Sequence, residues 1–153
     1  MKKPTFWADR NVGPINAIHP FTGRVIEVDP QRDARISYDL DTELTRLPGV
    51  LSWWFALRDR AEEILREARH EEHNAEEDLY EGLREKNPKA TETALKMKLK
   101  KDPRMRKAFR DRMDAETTYV RLKSAVEVLI QKGYALTNLT NLQKSERSVK
   151  DHA

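Results

Sequence analysis

The sequence has 153 residues, which fits one domain with at most an attached tail. Charged residues make up 36% of the chain and hydrophobic residues 38%, so the apolar content lies below the roughly 45–50% of an average globule. The chain has no cysteine, which excludes disulfide scaffolds, thiolate metal sites and thiol nucleophiles. It also has neither an apolar run long enough for a membrane span nor an apolar segment typical of a secretory signal. We therefore expect a soluble cytoplasmic protein of long, exposed helices that each bury a narrow stripe.

The net charge of +3 hides two oppositely charged segments. Residues 62–85 contain ten acidic residues and three arginines. Residues 86–112 contain eleven basic residues and three acidic ones. A basic segment beside an acidic one indicates an anion-binding surface with internal ion pairing.

Residues 1–36 differ in composition from the rest, because they hold four of the seven prolines and two of the five glycines. We interpret them as an irregular N-terminal arm with at most one short strand, over residues 24–28, after a turn at 19–23. The aromatic residues Phe6, Trp7 and Phe21 are expected to pin the arm to the helical body, with base stacking as the alternative. A short helix is predicted over residues 37–47, capped by Asp39 or Asp41 and interrupted at Pro48. Pro48 is alternatively the first-turn proline of the next helix.

Two long helices follow, each with an apolar seam at heptad spacing. The first is predicted from Val50 to about Lys86, the second from Pro103 to about Lys132 with Gly133 as its C-cap or a kink. Between them lies a short basic helix, capped by Thr91 or Thr93. The seams contain Trp54, Leu57, Ala61, Ile64, Ala68, Ala75, Leu79 and Gly82 in the first helix, and Ala115, Tyr119, Leu122, Val126 and Leu129 in the second.

A connection of about fifteen residues makes the two long helices antiparallel if they pack side by side. The predicted fold is therefore all-α: a long antiparallel helical hairpin with a short connecting helix, an irregular arm and oligomerising helices. The predicted division is an arm over 1–36, a helical domain over 37–143 and a flexible tail over 144–153. A short helix is the alternative for the leucine-spaced segment after Gly133.

The sequence gives only weak signals for catalytic or metal-binding residues. Glu67, His70 and His73 share the spacing of metal ligands on a helix, but the second long helix contributes no histidine, so a solvated face is the preferred interpretation over a di-metal bundle. The acidic residues fall in runs without apolar surroundings, and no serine lies in a nucleophile elbow. We predict no enzyme activity, no cofactor and no metal.

The basic connector gives the strongest functional signal, because clustered lysines and arginines neutralise phosphates and release counterions. Charge balance against the acidic helix is the alternative. No base-reading motif is present, so binding is expected to be to the backbone, with stacking on aromatics such as Trp7, Trp53 or Tyr80. Three adjacent aromatics, Trp53, Trp54 and Phe55, span most of a helix circumference, which favours a subunit contact over coverage by the arm. The predicted oligomer interface comprises Trp53, Trp54, Phe55, Leu129, Leu136, Leu139 and Leu142.

Taken in order, these elements resemble the phage recombination mediators of the UvsY family. The resemblance covers about Asp39 to Leu142. Its segments are Asp41-Thr42-Glu43-Leu44, Leu51-Ser52-Trp53-Trp54, residues 75–85, residues 91–96, Lys101-Asp102-Pro103-Arg104-Met105, residues 119–127 and residues 131–136.

The resemblance implies a non-enzymatic protein that binds single-stranded DNA as a ring-like homo-oligomer, a hexamer or heptamer. Such a mediator helps to load a RecA-like recombinase onto DNA coated by single-strand-binding protein, inside the infected bacterial cell. The chain departs from the expected family pattern where Glu76, Glu77, Asp78 and Glu81 replace bases near the end of the first long helix. The rival interpretation is a phage structural or assembly protein, such as a scaffolding coiled coil or a small-terminase-like ring. The implied DNA contacts are Arg84, Lys86, Lys89, Lys96, Lys98, Lys100, Lys101, Arg104, Arg106 and Lys107.

Overall fold

A computed structural model describes residues 13–151 of the chain. The elements are strands β1 (Ile15–Ile18) and β2 (Val25–Val28), then helices α1 (Pro30–Ala34), α2 (Leu40–Lys86), α3 (Glu92–Lys101) and α4 (Pro103–Asp151). The predicted helical hairpin with a short connecting helix is confirmed, with α2 and α4 as its arms. None of the helices in the described part of the chain contains an apolar stretch long enough to cross a bilayer.

The chain divides into two compact units, and both long helices contribute to each. Among the described residues, the terminal unit comprises 13–58 and 121–151, and the central unit comprises 59–120. Within the central unit, Asp78 of α2 contacts Arg104 of α4, and Arg69 contacts Glu116. The later residue of α2, Asp78, contacts the earlier residue of α4, Arg104, so the two helices run antiparallel.

The N-terminal arm contains a β-hairpin rather than the single strand that was predicted. β1 pairs with β2 in antiparallel register, with Ile15 opposite Val28 and Ile18 opposite Val25. Ile15 is buried, and the connecting turn includes Gly23 at φ +68°, a conformation that favours glycine. The flanking prolines concealed β1, whose four residues alternate between buried and exposed faces. Phe6 and Trp7 lie outside the described residues.

Within the terminal unit, Asp33 connects helix α1 to the two long helices. The Trp54 indole Nε1 donates to the Asp33 carboxylate at 2.8 Å, and the Lys132 ammonium donates to the Asp33 carbonyl at 2.7 Å. Lys132 also pairs with Glu43 at 2.6 Å. Because Trp54 and Glu43 belong to α2 and Lys132 to α4, these bonds tie α1 to both long helices.

Helix α2 begins after Asp39 and continues through Pro48. The Asp39 carboxylate accepts from the Thr42 backbone N–H at 3.1 Å and from its hydroxyl at 2.6 Å, and these bonds lower the pKa of Asp39. Both predicted roles of Pro48, as an interruption and as a first-turn residue, are wrong, since it lies inside the helix on an exposed face. Tertiary packing on both sides of the proline outweighs the roughly 3 kcal/mol that an interior proline costs.

Helix α4 likewise continues past the predicted C-cap. A Cβ added to Gly133 would lie 3.1 Å from the Leu47 side chain, so this glycine provides space for close helix packing and does not end the helix. The predicted end near Lys132 is therefore wrong. Residues 144–151, predicted as a flexible tail, form the last turns of α4, and their flexibility stays a prediction.

The apolar core follows the predicted seams in part. In the terminal unit, Trp54 and Leu57 of α2 are buried, as are Leu122, Val126 and Leu129 of α4. In the central unit Ala61 and Ala75 are buried, whereas the seam residues Ile64 and Ala68 are half-buried and Leu65 replaces them in the core. Leu95 and Leu99 bury one face of α3.

Candidate nucleic-acid interface

The sequence places a dense set of cations around α3 through two helix caps. Thr91 accepts from the Ala94 N–H at 3.3 Å and starts α3, as one of the two predicted caps. Asp102 ends α3, and its carboxylate accepts from the Arg104 N–H at 2.8 Å, so α4 starts directly afterwards at Pro103. With Leu95 and Leu99 buried, the lysines of α3 must occupy its outer face.

All ten predicted DNA-contacting residues are exposed and belong to the central unit. Arg84 and Lys86 lie in the last turn of α2, and Lys89 lies in the loop that follows. The others lie on α3 (Lys96, Lys98, Lys100 and Lys101) and in the first turns of α4 (Arg104, Arg106 and Lys107). Phosphate contacts require exposed cations, and this condition is met by the whole set.

Three of these cations line a groove that we call the α3–α4 groove. It has a volume of about 870 Å³. Its charged lining residues are Lys96, Lys100, Arg106, Arg110, Glu72 and Glu76, and its apolar lining residues are Leu99, Pro103, Met105 and Phe109. Arg106 is oriented by a bond from its Nε to the Lys100 carbonyl at 3.4 Å.

Other predicted cations are engaged in ion pairs away from this groove. Arg104 pairs with Asp78 at 3.0 Å, and Lys107 pairs with Asp111 at 2.8 Å. Arg104 and Lys107 line a second surface pocket of about 390 Å³. Its other lining residues include Glu67, Glu71 and Asp111. Exposed pairs of this kind contribute at most about 1 kcal/mol, but they offset the positive charge available to a ligand. The predicted cation set is thus divided: three of its members line the groove and two form ion pairs. The other five belong to neither group among the described residues: Arg84, Lys86, Lys89, Lys98 and Lys101.

An aromatic residue that sequence reasoning missed lies in the groove. Phe109 is 48% exposed, and the Arg112 guanidinium lies 5.1 Å from its ring centroid. Its position within the basic run from Arg104 to Arg110 is the signal that could have found it, because aromatics interleaved with cations are typical of single-strand binding.

The aromatics proposed from sequence as stacking residues lie elsewhere. Trp7 lies outside the described residues, and Tyr80 is half-buried. Trp53 is half-buried, with its ring centroid 5.1 Å from that of His19 in an edge-to-face contact. Of the arm residues expected to pin the arm to the helical body, Phe21 is 84% exposed, so it provides no anchor.

The predicted oligomer interface is partly corrected by burial within one chain. Trp54 is 1% exposed, and Leu129 and Leu136 are fully buried, so these side chains leave no surface for a second copy. Trp53 and Phe55 are half-buried, and Phe55 lies 5.0 Å from the Arg58 guanidinium. Leu139 and Leu142 are exposed on α4 and remain available for a partner.

The histidines considered as metal ligands lie on an exposed part of α2. His73 Nε2 is 3.2 Å from the Glu77 carboxylate, and both side chains are mostly exposed. Within residues 13–151, no group of three or more histidine, aspartate or glutamate side chains is arranged to hold a metal ion.

Known proteins give no match for this chain, whether as family models, curated proteins or solved structures. The resemblance to the UvsY family rests on the sequence segments given above. Its functional implications therefore depend on the residues and geometry of the interface.

Proposed function

We propose that this protein is a single-stranded-DNA-binding recombination mediator. In this role it helps to load a RecA-like recombinase onto DNA coated by single-strand-binding protein. The observation that carries the proposal is the exposed cationic surface around α3 and the start of α4. Its chemistry is suited to phosphodiester, since lysine and arginine contacts release counterions from the nucleic-acid backbone.

A single strand fits this surface better than a duplex. The groove combines four cations with an apolar lining and one exposed aromatic ring. Unpaired bases offer faces that can enter such a groove, whereas a duplex keeps its bases stacked inside. The same surface carries no base-reading motif, so binding independent of sequence is expected.

We propose that the protein acts as a homo-oligomeric ring assembled through the exposed apolar stripe of α4. Leu139, Leu142 and Val149 are exposed, and their spacing of three and seven residues places them on one helix face. Several subunits along one strand would turn weak phosphate contacts into avid binding. A strand bent on such a ring would bind its single-strand-binding protein less tightly. Release of that coat protein is what a mediator must promote.

Charge reversal in the groove tests the proposal. If four cations contact phosphates, a plot of the logarithm of the single-strand binding constant against the logarithm of the salt concentration should have a slope of about −3 per protomer. Replacing Lys96 and Lys100 by glutamate should reduce the magnitude of that slope by about 1.4 and weaken binding about tenfold. Fluorescence anisotropy with a labelled oligo(dT) across a salt series measures both quantities.

The matched control reverses two exposed lysines of α4 in the terminal unit, Lys123 and Lys144. These variants should keep the slope and most of the affinity. Equal losses in both pairs, or a slope near zero in the unmodified protein, would contradict the proposal. Binding to duplex as tight as to the single strand, together with co-assembly with a capsid or terminase protein, would favour the structural interpretation.

A further inference from the structure

We propose that Phe109 forms a base-stacking site within the α3–α4 groove, where a nucleobase of a bound single strand lies against its ring. This inference rests on the proposed nucleic-acid binding and assigns a specific chemical role to one side chain. It distinguishes the groove from the remaining basic surface, which would hold phosphates only.

The Phe109 ring is positioned before any ligand arrives. Arg112 lies over it at 5.1 Å from the centroid. Arg112 is in turn held by ion pairs with Glu72 and with Glu116, the latter at 2.8 Å. A ring fixed in this way loses little conformational entropy on stacking, while almost half of its surface stays exposed.

The surroundings of Phe109 suit a nucleotide. Leu99, Pro103 and Met105 supply apolar surface for a base, and the groove volume of about 870 Å³ lies in the range of small-ligand sites. Lys96, Lys100 and Arg106 are exposed cations of the same groove and can hold the flanking phosphates. Apolar, aromatic and cationic groups are thus combined as a base with its phosphates requires.

The lining of the groove favours a polynucleotide over an acidic peptide. Glu72 and Glu76 contribute carboxylates to the lining beside the four cations. These carboxylates repel the side chains of an acidic peptide and the phosphates of a strand alike, so the difference between the two ligands lies in the base amino groups, which only the strand offers. An exposed carboxylate such as that of Glu76 can instead accept a hydrogen bond from a base amino group, as glutamate does from cytosine N4.

The test compares an oligo(dC) 15-mer with an abasic oligomer of equal length at one salt concentration, by fluorescence anisotropy. The abasic oligomer keeps the phosphates and removes the rings. We expect the unmodified protein to bind oligo(dC) about tenfold more tightly than the abasic oligomer, in keeping with the free energy of a base–aromatic stack. Phe109→Ala should bring the ratio close to one while leaving the salt slope unchanged.

Two further variants serve as controls. Phe55→Ala removes a second phenylalanine that lies close to an arginine, Arg58, and should keep the ratio of the unmodified protein. Phe109→Trp should also keep it, and its fluorescence should be quenched by oligo(dC) but not by the abasic oligomer.

Equal binding of the two oligomers by the unmodified protein, or an unchanged ratio in Phe109→Ala, would overturn the stacking site while leaving phosphate-driven binding intact. Absence of salt-dependent binding to either oligomer would instead refute the proposed function itself. A labelled acidic peptide that binds the unmodified protein and is lost in Phe109→Ala, with the oligomer ratio unchanged, would assign the groove to a protein partner.

Discussion

Replacing Lys132 by methionine should strongly destabilise the terminal unit. Lys132 is 5% exposed, and its ammonium group bonds to the Glu43 carboxylate at 2.6 Å and to the Asp33 carbonyl at 2.7 Å. Methionine fills a similar volume but leaves Glu43 without a counter-charge in a largely buried position. Breaking one side of a buried pair costs roughly 3–5 kcal/mol. For a protein of this size that corresponds to a fall in Tm of roughly 6–20 °C.

The pH dependence separates this ion pair from a simple packing defect. The hydrogen bond from Lys132 holds the pKa of Glu43 below its ordinary value of 4.5. The resulting stabilisation is fully present above pH 4.5 and is lost as the pH falls through the folded-state pKa. The stability difference between the unmodified protein and Lys132→Met should therefore shrink as the pH is lowered below 4.5.

Urea unfolding followed by circular dichroism, repeated from pH 7 to pH 3, measures both effects. Lys123→Met, an exposed lysine on the same helix, is the control and should change the unfolding free energy by less than about 0.5 kcal/mol. A loss below about 1 kcal/mol for Lys132→Met, or a loss that is the same at every pH, would refute the assignment of a stabilising buried pair.

Two other predictions concern the helices around the interface and the partner surface. Thr91→Ala should lower the unfolding free energy by about 1 kcal/mol, because it removes the N-cap of α3. Thr93→Ala, inside the same helix, should change the unfolding free energy little. Urea titration measures both variants, and equal losses would contradict the capping role of Thr91. Replacing Leu139 and Leu142 by serine should lower the molar mass found by light scattering without altering helix content, while Tyr134→Ser, a control at another exposed position of α4, should leave the mass unchanged. An unchanged mass in the leucine variant would remove this stripe from the proposed ring.

The hairpin and its connector were predictable because their signals are local and repeated. The heptad spacing of Trp54, Leu57 and Ala61 persists over several turns, and each residue is buried. Thr91 and Asp102 were predictable as caps because their side chains satisfy backbone groups only a few residues away. Such features depend little on the rest of the fold.

The errors arose where tertiary packing overrides a local signal. Pro48 and Gly133 are strong helix breakers in isolation, yet both lie inside long helices here. Leu47 packs close to Gly133, so the absence of a side chain serves contact between α2 and α4, a role that no single segment reveals. Strand β1 was missed for a different reason, because Pro14 and Pro20 flank a strand of only four residues, although its pairing with β2 is local.

In the candidate interface, too, the sequence did not reveal which side chains lie together. Sequence identified the cations but could not tell that Arg104 and Lys107 have acidic partners whereas Lys96, Lys100 and Arg106 share a groove. These groupings depend on which face of α4 meets α2. The basic run could have pointed to Phe109 as a stacking candidate, but only the structure shows that its ring is exposed and not part of a buried seam.

The division of the chain into compact units has a consequence for biosynthesis. The central unit is one continuous segment, 59–120, whereas the terminal unit combines two segments, 13–58 and 121–151, of the part of the chain that the structure describes. On the ribosome, the nascent chain can therefore complete the continuous unit before residues 13–58 meet their partners in the second segment, since contacts that are close in sequence form faster. Pulse-labelled amide exchange during refolding should protect residues 59–120 before residues 121–136, and simultaneous protection would exclude this order.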